Sequence, residues 1–81
     1  MADIHLYVVS PEEVLADLMV DTVFLPGSVS PFQVLRNHAG MISSLDKGSI
    51  RYSGPDGEGS LEISSGFARI SDNQITVCVE K

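Results

Sequence analysis

The sequence predicts an all-β fold: a flattened sandwich or barrel of about ten short, mostly antiparallel strands. Two observations carry this prediction. Short runs in which apolar and polar residues alternate recur at intervals of about 8–12 residues. Between the runs stand Gly, Pro, Asn and Asp, which favour turns and end strands. A chain of 81 residues suits one domain, over residues 1–81, with a small core.

The first strand is clearly predicted, and the segment after it is ambiguous. Residues 3–9 alternate as in a half-buried strand, whose inward side chains are Ile4, Leu6 and Val8. The next residues, 10–13 (Ser-Pro-Glu-Glu), could cap a helix with an apolar face behind them, and local signals slightly favour this. They could also form a turn before another strand, because Ser-Pro favours turns.

The middle of the chain contains three further apolar runs. Residues 20–25 alternate, and Pro26-Gly27 ends that strand. Residues 40–45 and 48–52 are two shorter runs. Asp46-Lys47 separates them, and we predict a hairpin turn there.

The second half of the chain is divided by strong turn signals. Gly54–Gly59 contains three glycines and a proline and is predicted to be a hairpin tip. The apolar phase changes between Ile63 and Ala68, so we predict a bulge or bend at Ser64–Gly66. Another turn at Ser71–Asn73 precedes the last strand, whose apolar residues are Ile75, Val77 and Val79.

Composition and charge exclude several classes of protein. Eleven acidic and five basic residues give a net charge of −6, and the basic residues are scattered. A phosphate backbone needs clustered Lys and Arg, so we expect no nucleic-acid binding. Cys78 is the only cysteine, which precludes an internal disulfide and favours a reducing compartment. The first residues contain no signal peptide, transit peptide or membrane span, so we expect membrane association only through a partner.

The residues that could carry chemistry do not form a catalytic or metal-binding set. His5 and His38 have no cysteine or second histidine at metal-ligand spacing. No Gly-x-Ser-x-Gly elbow frames a serine, and no phosphate-binding glycine loop is present. We therefore expect no catalytic residue, no metal and no cofactor. The apolar loop residues Val29, Pro31 and Phe32 are costly to expose and predict a contact surface.

Six different short motifs follow one another over most of the chain. They are Val8–Glu12 (Val-Val-Ser-Pro-Glu), Val20–Gly27 (ending Leu-Pro-Gly), Val34–Ala39 (Val-Leu-Arg-Asn-His-Ala), Leu45–Gly48, Gly66–Ile70 and Asn73–Val77. In this series the chain resembles the N-terminal β-sandwich domain of the epsilon subunit of F-type ATP synthases. The resemblance implies a turn and a strand after Ser10, and we adopt that interpretation.

The resemblance implies a non-catalytic rotor subunit of the central stalk. Such a subunit links the gamma subunit to the c-ring and couples the flow of protons or sodium ions to ATP synthesis. By family position, the residues facing the gamma subunit are Ser10, His38 and Ser43. The loop facing the c-ring comprises Ser28, Val29, Ser30, Pro31 and Phe32. The chain would then lie at the cytoplasmic face of the bacterial inner membrane, as a peripheral protein held by its complex.

The chain departs from the family pattern at several positions. Leu18, Ser30 and Gln33 stand where the family usually has glycine, and most departures fall in the loop expected to face the c-ring. The family also continues into two C-terminal helices that can inhibit ATP hydrolysis or, in some members, bind ATP. Those helices have no counterpart in the 81 residues, so we expect this chain to bind no ATP.

One other class of protein shares part of the pattern. Lipoyl-type carrier domains are also small, acidic and all-β, and they present a modified lysine beside Asp on an exposed hairpin. Asp46-Lys47 is similar to that pair, which makes Lys47 the candidate attachment site. The rest of the carrier pattern is missing, and Asp is common in turns for other reasons.

Overall fold

The computed structural model describes residues 3–37, 39–55 and 57–81, and in these ranges it contains nine β-strands and no helix. This confirms the predicted all-β fold class. The strands are β1 (Ile4–Val9), β2 (Val14–Val20), β3 (Thr22–Leu25), β4 (Phe32–Val34), β5 (Met41–Leu45), β6 (Gly48–Gly54), β7 (Gly57–Ile63), β8 (Ser65–Ser71) and β9 (Gln74–Glu80).

The strands form two sheets that pack as a sandwich. The larger sheet has the order β2-β1-β9-β8-β5, and the smaller has the order β4-β3-β6-β7. All strand pairs are antiparallel except β1 and β9, which run parallel. The central strands β1, β9 and β8 thus join the two ends of the chain in one sheet.

The core between the sheets consists of aliphatic side chains. In β1 the predicted inward residues Ile4, Leu6 and Val8 are each at most 1% exposed, while the residues between them are half-buried. The other fully buried large side chains are Val20, Val23, Leu25, Val34, Ile50, Ile70, Ile75 and Val77. Burying one such side chain is worth about 1.5–3 kcal/mol, so period-two alternation largely sets which face of each strand turns inward.

The ambiguous segment after β1 is a turn followed by a strand. The Ser10 amide donates to the Glu13 carbonyl at 2.8 Å, and the Glu13 amide donates to Ser10 Oγ at 3.3 Å. Ser10 therefore makes a cap-like hydrogen bond, but the chain reverses instead of coiling. β2 then pairs with β1, placing Leu18 opposite Leu6, and it buries Ala16 and Val20 on the same face. This long pairing outweighs the local helix signal.

The predicted hairpin at Asp46-Lys47 is wrong. β5 pairs with β8 in the larger sheet, whereas β6 pairs with β3 and β7 in the smaller one. The Asp46 amide donates to the Pro26 carbonyl at 2.8 Å, and Leu45 forms an antiparallel bridge with Gly27. Asp46-Lys47 is thus a corner at which the chain changes sheets, because its backbone bonds to a distant loop instead of closing on itself.

The other predicted turns are confirmed. Gly54 and Gly57 are partners at the tip of the β6–β7 hairpin, and Gly57 has φ 113°, a value that favours glycine. The bend at Ser64 is where the chain passes from the smaller to the larger sheet, which explains the change of apolar phase. Asp72 and Asn73 have φ 51° and 62° between β8 and β9, as in a type I′ hairpin turn.

Candidate functional site: two interaction surfaces

The loop expected to face the c-ring projects from one end of the sandwich between β3 and β4. Ser28, Val29, Ser30 and Pro31 are all exposed, and Val29 is fully so. Phe32 differs, because it begins β4, pairs with Leu25 and packs half-buried against the core. The loop therefore offers an apolar tip at Val29 and Pro31, while Phe32 anchors its base.

Gly27 allows the loop to fold back tightly on itself. A Cβ atom at this position would lie 2.6 Å from the Ser30 carbonyl oxygen and 2.8 Å from the Phe32 ring. Both distances are too short for a real contact. The glycine of the Pro26-Gly27 turn is thus needed for close packing of the loop on Phe32.

Hydrogen bonds fasten this loop to the corner between β5 and β6. The Ser28 amide donates to the Ser44 carbonyl at 2.9 Å, and Ser28 Oγ donates to Asp46 Oδ1 at 2.9 Å. The Asp46 amide bonds back to Pro26. The loop belongs to the smaller sheet and β5 to the larger one, so these contacts tie the two sheets together at this end.

The residues expected to face the gamma subunit fall in different places. Ser10 lies in the β1–β2 turn and lines a shallow groove on the larger sheet. Ser43 lies on the edge strand β5 opposite Ala68, is half-buried, and donates through Oγ to the Ser44 carbonyl at 3.0 Å. His38 lies outside the described residues.

The residue before His38 lies at the other end of the larger sheet from Ser10. The Asn37 amide donates to Asn73 Oδ1 in the β8–β9 turn, and the Asn73 carbonyl accepts from His5 at the start of β1. Ser10 follows the opposite end of β1. The structure therefore does not bring Ser10 and Asn37 together.

A row of apolar side chains that the sequence analysis did not select crosses the outer face of the larger sheet. Phe67 on β8 is 64% exposed, and its strand partners are Ser44 on β5 and Cys78 on β9. Cys78, also exposed, pairs in turn with Val9. Ile42 on β5 is 75% exposed. The signal was present in the sequence, since Phe67 is a large apolar residue out of phase with buried Ala68 and Ile70.

Large exposed apolar residues concentrate on strands of the larger sheet. Among the described residues they are Val14 and Met19 on β2, Met41 and Ile42 on β5, and Phe67 on β8. The smaller sheet exposes Phe24, and the Arg51 guanidinium covers its ring at 5.2 Å from the centroid. Ser49 and Glu62 form a hydrogen bond on neighbouring strands of that sheet. The larger sheet is therefore the better candidate for a protein interface.

A cluster of polar side chains around His5, the His5 cluster, joins three strands on the outer face of the larger sheet. His5 Nε2 contacts Asp17 Oδ1 on β2 at 2.5 Å, and His5 Nδ1 contacts Gln74 Oε1 on β9 at 2.8 Å. The hydrogen bond to Asp17, and secondarily that to Gln74, raises the pKa of His5 above its usual value, because both acceptors favour the protonated ring. The cluster fastens the edge strand β2 to the sheet.

Within the described residues, no three His, Cys, Asp or Glu side chains converge on a possible metal site. No helix in those ranges is long and apolar enough to cross a bilayer.

Lys47 lies at the sheet-changing corner, not on a hairpin, so the structural premise for a lipoyl attachment there is wrong.

Comparison with known proteins gives the family. The family described as ATP synthase, Delta/Epsilon chain, beta-sandwich domain matches residues 3–81. This chain belongs to that family. The predicted resemblance is therefore confirmed over nearly the whole sequence.

Curated relatives of this delta/epsilon family support the assignment. The ATP synthase epsilon chain of Nitratidesulfovibrio vulgaris strain Miyazaki F is 36% identical over 77 residues, which cover 95% of this chain and 58% of that relative. That of Carboxydothermus hydrogenoformans is 40% identical over 78 residues, with the same two coverages. The chain thus spans somewhat more than half the length of these relatives.

Solved structures share the fold. A chain in the mitochondrial ATP synthase of Euglena gracilis superposes with a TM-score of 0.90 at 20% identity, covering 100% of this chain and 52% of that one. A chain in the central stalk and c-ring assembly of the Tetrahymena thermophila enzyme superposes with a TM-score of 0.80 at 12% identity. The superposition covers 98% of this chain and 64% of that one. At these identities the likeness concerns the fold alone.

Proposed function

We propose that this chain is a non-catalytic central-stalk subunit of a proton- or sodium-translocating F-type ATP synthase. It links the gamma subunit to the c-ring, so that rotation driven by ion flow reaches the sites of ATP synthesis. The observation that carries the proposal is the family match over residues 3–81, together with relatives named ATP synthase epsilon chain.

The mechanical task requires a stiff body with two contact surfaces. Stiffness comes from a close-packed core between two sheets, since packed interiors transmit strain instead of yielding to it. The Ser28–Asp46 and Ser28–Ser44 bonds join the sheets beside the projecting loop. A load applied at the loop would therefore pass to β5 and the larger sheet.

The c-ring side of the proposal uses the loop from Ser28 to Phe32. Its support is the exposure of Val29 and Pro31 at the end of the sandwich, where apolar side chains gain by being covered.

The gamma side of the proposal uses Ser10, His38 and Ser43. Its support is that Ser10 borders the apolar outer face of the larger sheet, and that Ser43 lies on β5 at the edge of the same sheet. Held in this way, the chain would be peripheral to the membrane, at the cytoplasmic face of the bacterial inner membrane.

The test is purification of the complex through a tag on this chain from its source cells. We expect the gamma and c subunits to be recovered with it, and vesicles depleted of the chain to lose ATP synthesis driven by an ion gradient. Adding the chain back should restore synthesis. Recovery of the chain without gamma and c subunits, or unchanged synthesis after depletion, would refute the proposal.

A further inference from the structure

The outer face of the smaller sheet carries an open concavity of about 390 Å³ around Arg51. Its lining includes Thr22, Phe24, Arg51, Ser53 and Glu58, and we call it the Arg51 site. Strand pairing places Phe24 opposite Arg51, and places Ser53 between Thr22 and Glu58. The site is therefore built on three adjacent strands, whose pairing sets the spacing of its side chains.

The Arg51 guanidinium is positioned by an aromatic ring while its donors stay free. It lies over Phe24, 5.2 Å from the ring centroid, where cation–π attraction favours it. Phe24 is on β3, so the side chain leans away from Glu58 and Glu62 on β7. Among the described residues, no carboxylate forms a salt bridge with Arg51. A guanidinium presents its N–H donors in a planar fork, which a ligand can use.

Two hydroxyl groups lie beside the guanidinium on the same outer face. Thr22 Oγ1 and Ser53 Oγ are 2.9 Å apart and share a hydrogen bond. That bond uses only one of the two hydroxyl protons, so the other can be donated to an acceptor. Ser53 is two residues from Arg51 on β6, a spacing of about 7 Å along the strand. The guanidinium and the hydroxyl pair can therefore donate to one anion.

The charges around the site select the class of anion. Glu58 adds a negative charge to the lining, and the net charge of the chain is −6. Both oppose a dianion more strongly than a monoanion. A carboxylate carries a single charge and matches a guanidinium through two parallel hydrogen bonds. Phe24 is 39% exposed, which leaves apolar surface beside the guanidinium for the body of such a ligand.

We propose that the Arg51 site binds a small organic monocarboxylate. Arg51 pairs with the carboxylate, the Thr22–Ser53 hydroxyl pair donates to one of its oxygens, and Phe24 holds the guanidinium and contacts the apolar part of the ligand. The site is on the outer face opposite the larger sheet, so it does not depend on the proposed function. Because the site is open and offers one cation, we expect a dissociation constant on the order of 1 mM for benzoate.

The first test is an NMR titration of the isotope-labelled chain with sodium benzoate, in which sodium chloride keeps the ionic strength constant. We expect saturable shifts of the Arg51 Nε–H and of the Thr22, Phe24 and Ser53 amides. Inorganic phosphate and succinate should bind roughly ten-fold more weakly, because their second charge is repelled. Shifts that do not saturate, or that spread evenly over the surface, would overturn the inference. Tighter binding of phosphate than of benzoate would also overturn it.

Substitutions then separate the guanidinium fork from its charge. Arg51→Lys keeps the charge but removes the fork, and should weaken benzoate binding roughly ten-fold. Arg69→Lys, at an exposed position on β8 of the larger sheet, is the matched control and should bind as the parent does. Glu58→Gln should bind phosphate more tightly relative to benzoate. Circular dichroism checks that each variant folds. Parental binding by folded Arg51→Lys, or unchanged selectivity in Glu58→Gln, would overturn the inference.

A carboxylate side chain of a partner protein is the other possible occupant. Modification of Arg51 by phenylglyoxal, followed by peptide mass spectrometry, distinguishes the two sources. We expect similar rates of modification in the isolated chain and in the complex purified from source cells, and slower modification in both when benzoate is added. Protection of Arg51 in the complex without benzoate would show that a protein fills the site, and would overturn the inference.

Discussion

Ser28 Oγ donates a hydrogen bond to Asp46 Oδ1 at 2.9 Å, joining a loop of one sheet to the corner where the chain enters that sheet from the other. The two residues are 18 positions apart and both are exposed. Their backbones are also held, Ser28 by Ser44 and Asp46 by Pro26. The projecting loop is therefore supported by contacts at its base, and its tip remains free to bind.

Replacing Asp46 by Ala should loosen the loop without unfolding the domain. The side-chain hydrogen bond is exposed, so its loss should cost no more than about 1 kcal/mol of unfolding free energy. Hydrogen exchange at the Ser28 amide should become faster, because the neighbouring support is weaker. Asp46→Asn keeps an acceptor oxygen, so in this variant the Ser28 amide should exchange nearly as fast as in the parent. Identical exchange in Asp46→Ala would contradict the supporting role.

Replacing Gly27 by Ala should destabilise the domain by about 1–3 kcal/mol, since the added methyl group collides with the Ser30 carbonyl and the Phe32 ring. The control is Val29→Ala in the same loop, where the side chain is fully exposed and the change should stay within about 0.5 kcal/mol. Urea denaturation of both variants measures the difference. Equal stability of the two would mean that the loop is not packed as described.

Replacing Val29 and Pro31 together by Asp should leave the isolated chain folded but weaken its attachment to the c-ring. Both side chains are exposed, so the thermal midpoint should shift by no more than about 5 °C. Recovery of c subunits and coupled ATP synthesis should both fall. Pro55→Asp with Ser60→Asp adds the same two charges at exposed positions on β7 and its hairpin, and should have little effect. If the loop variant assembles and couples like the parent, this loop is not the interface.

The His5 cluster should make stability depend on pH in a defined direction. The folded-state pKa of His5 is raised, so its contribution is fully present below the unfolded pKa of about 6.5 and is lost as pH rises through the folded value. The parent should therefore lose more stability above pH 6.5 than His5→Gln does.

Denaturation at several pH values and NMR titration of the His5 ring measure this effect. Asp17→Asn is the matched variant, because it removes the negative partner but keeps a polar side chain of similar size. It should bring the pKa of His5 back towards 6.5. A His5 pKa at or below 6.5 in the parent would contradict the description of the cluster.

Sequence patterns predicted much of this fold for local reasons. The inward residues of β1 and β9 were predicted correctly, because period-two alternation of apolar and polar residues indicates which face of a strand is buried. The turns at Gly54–Gly59 and Ser71–Asn73 were correct because glycine and asparagine tolerate the positive φ angles found there. The apolar loop residues Val29, Pro31 and Phe32 were recognisable as a contact surface in the sequence, whereas their assignment to the c-ring came from the family resemblance.

The candidate surfaces were less fully predicted. Phe67 was not chosen, although it stands at an outward phase, because alternation alone does not say that Ser44, Cys78 and Val9 lie beside it in one row. The hairpin at Asp46-Lys47 was wrongly predicted. A turn signal indicates that the chain changes direction at these two residues, but it does not indicate whether the strands on either side pair with each other. The helix signal after Ser10 was local in the same way, and pairing of β2 with β1 overrode it.

Alternation and turn chemistry by themselves determined that this chain forms short strands with a single buried face, since both act between residues that are close in the sequence. Only the tertiary structure decided which strands pair when they are distant in the sequence. β1 lies beside β9 through contacts such as His5 with Gln74, 69 positions apart, and the Pro26–Ser28 segment binds the β5–β6 corner. Such partners are selected by packing of the whole core, because the free energy of a β-sheet lies in contacts between strands and not within them.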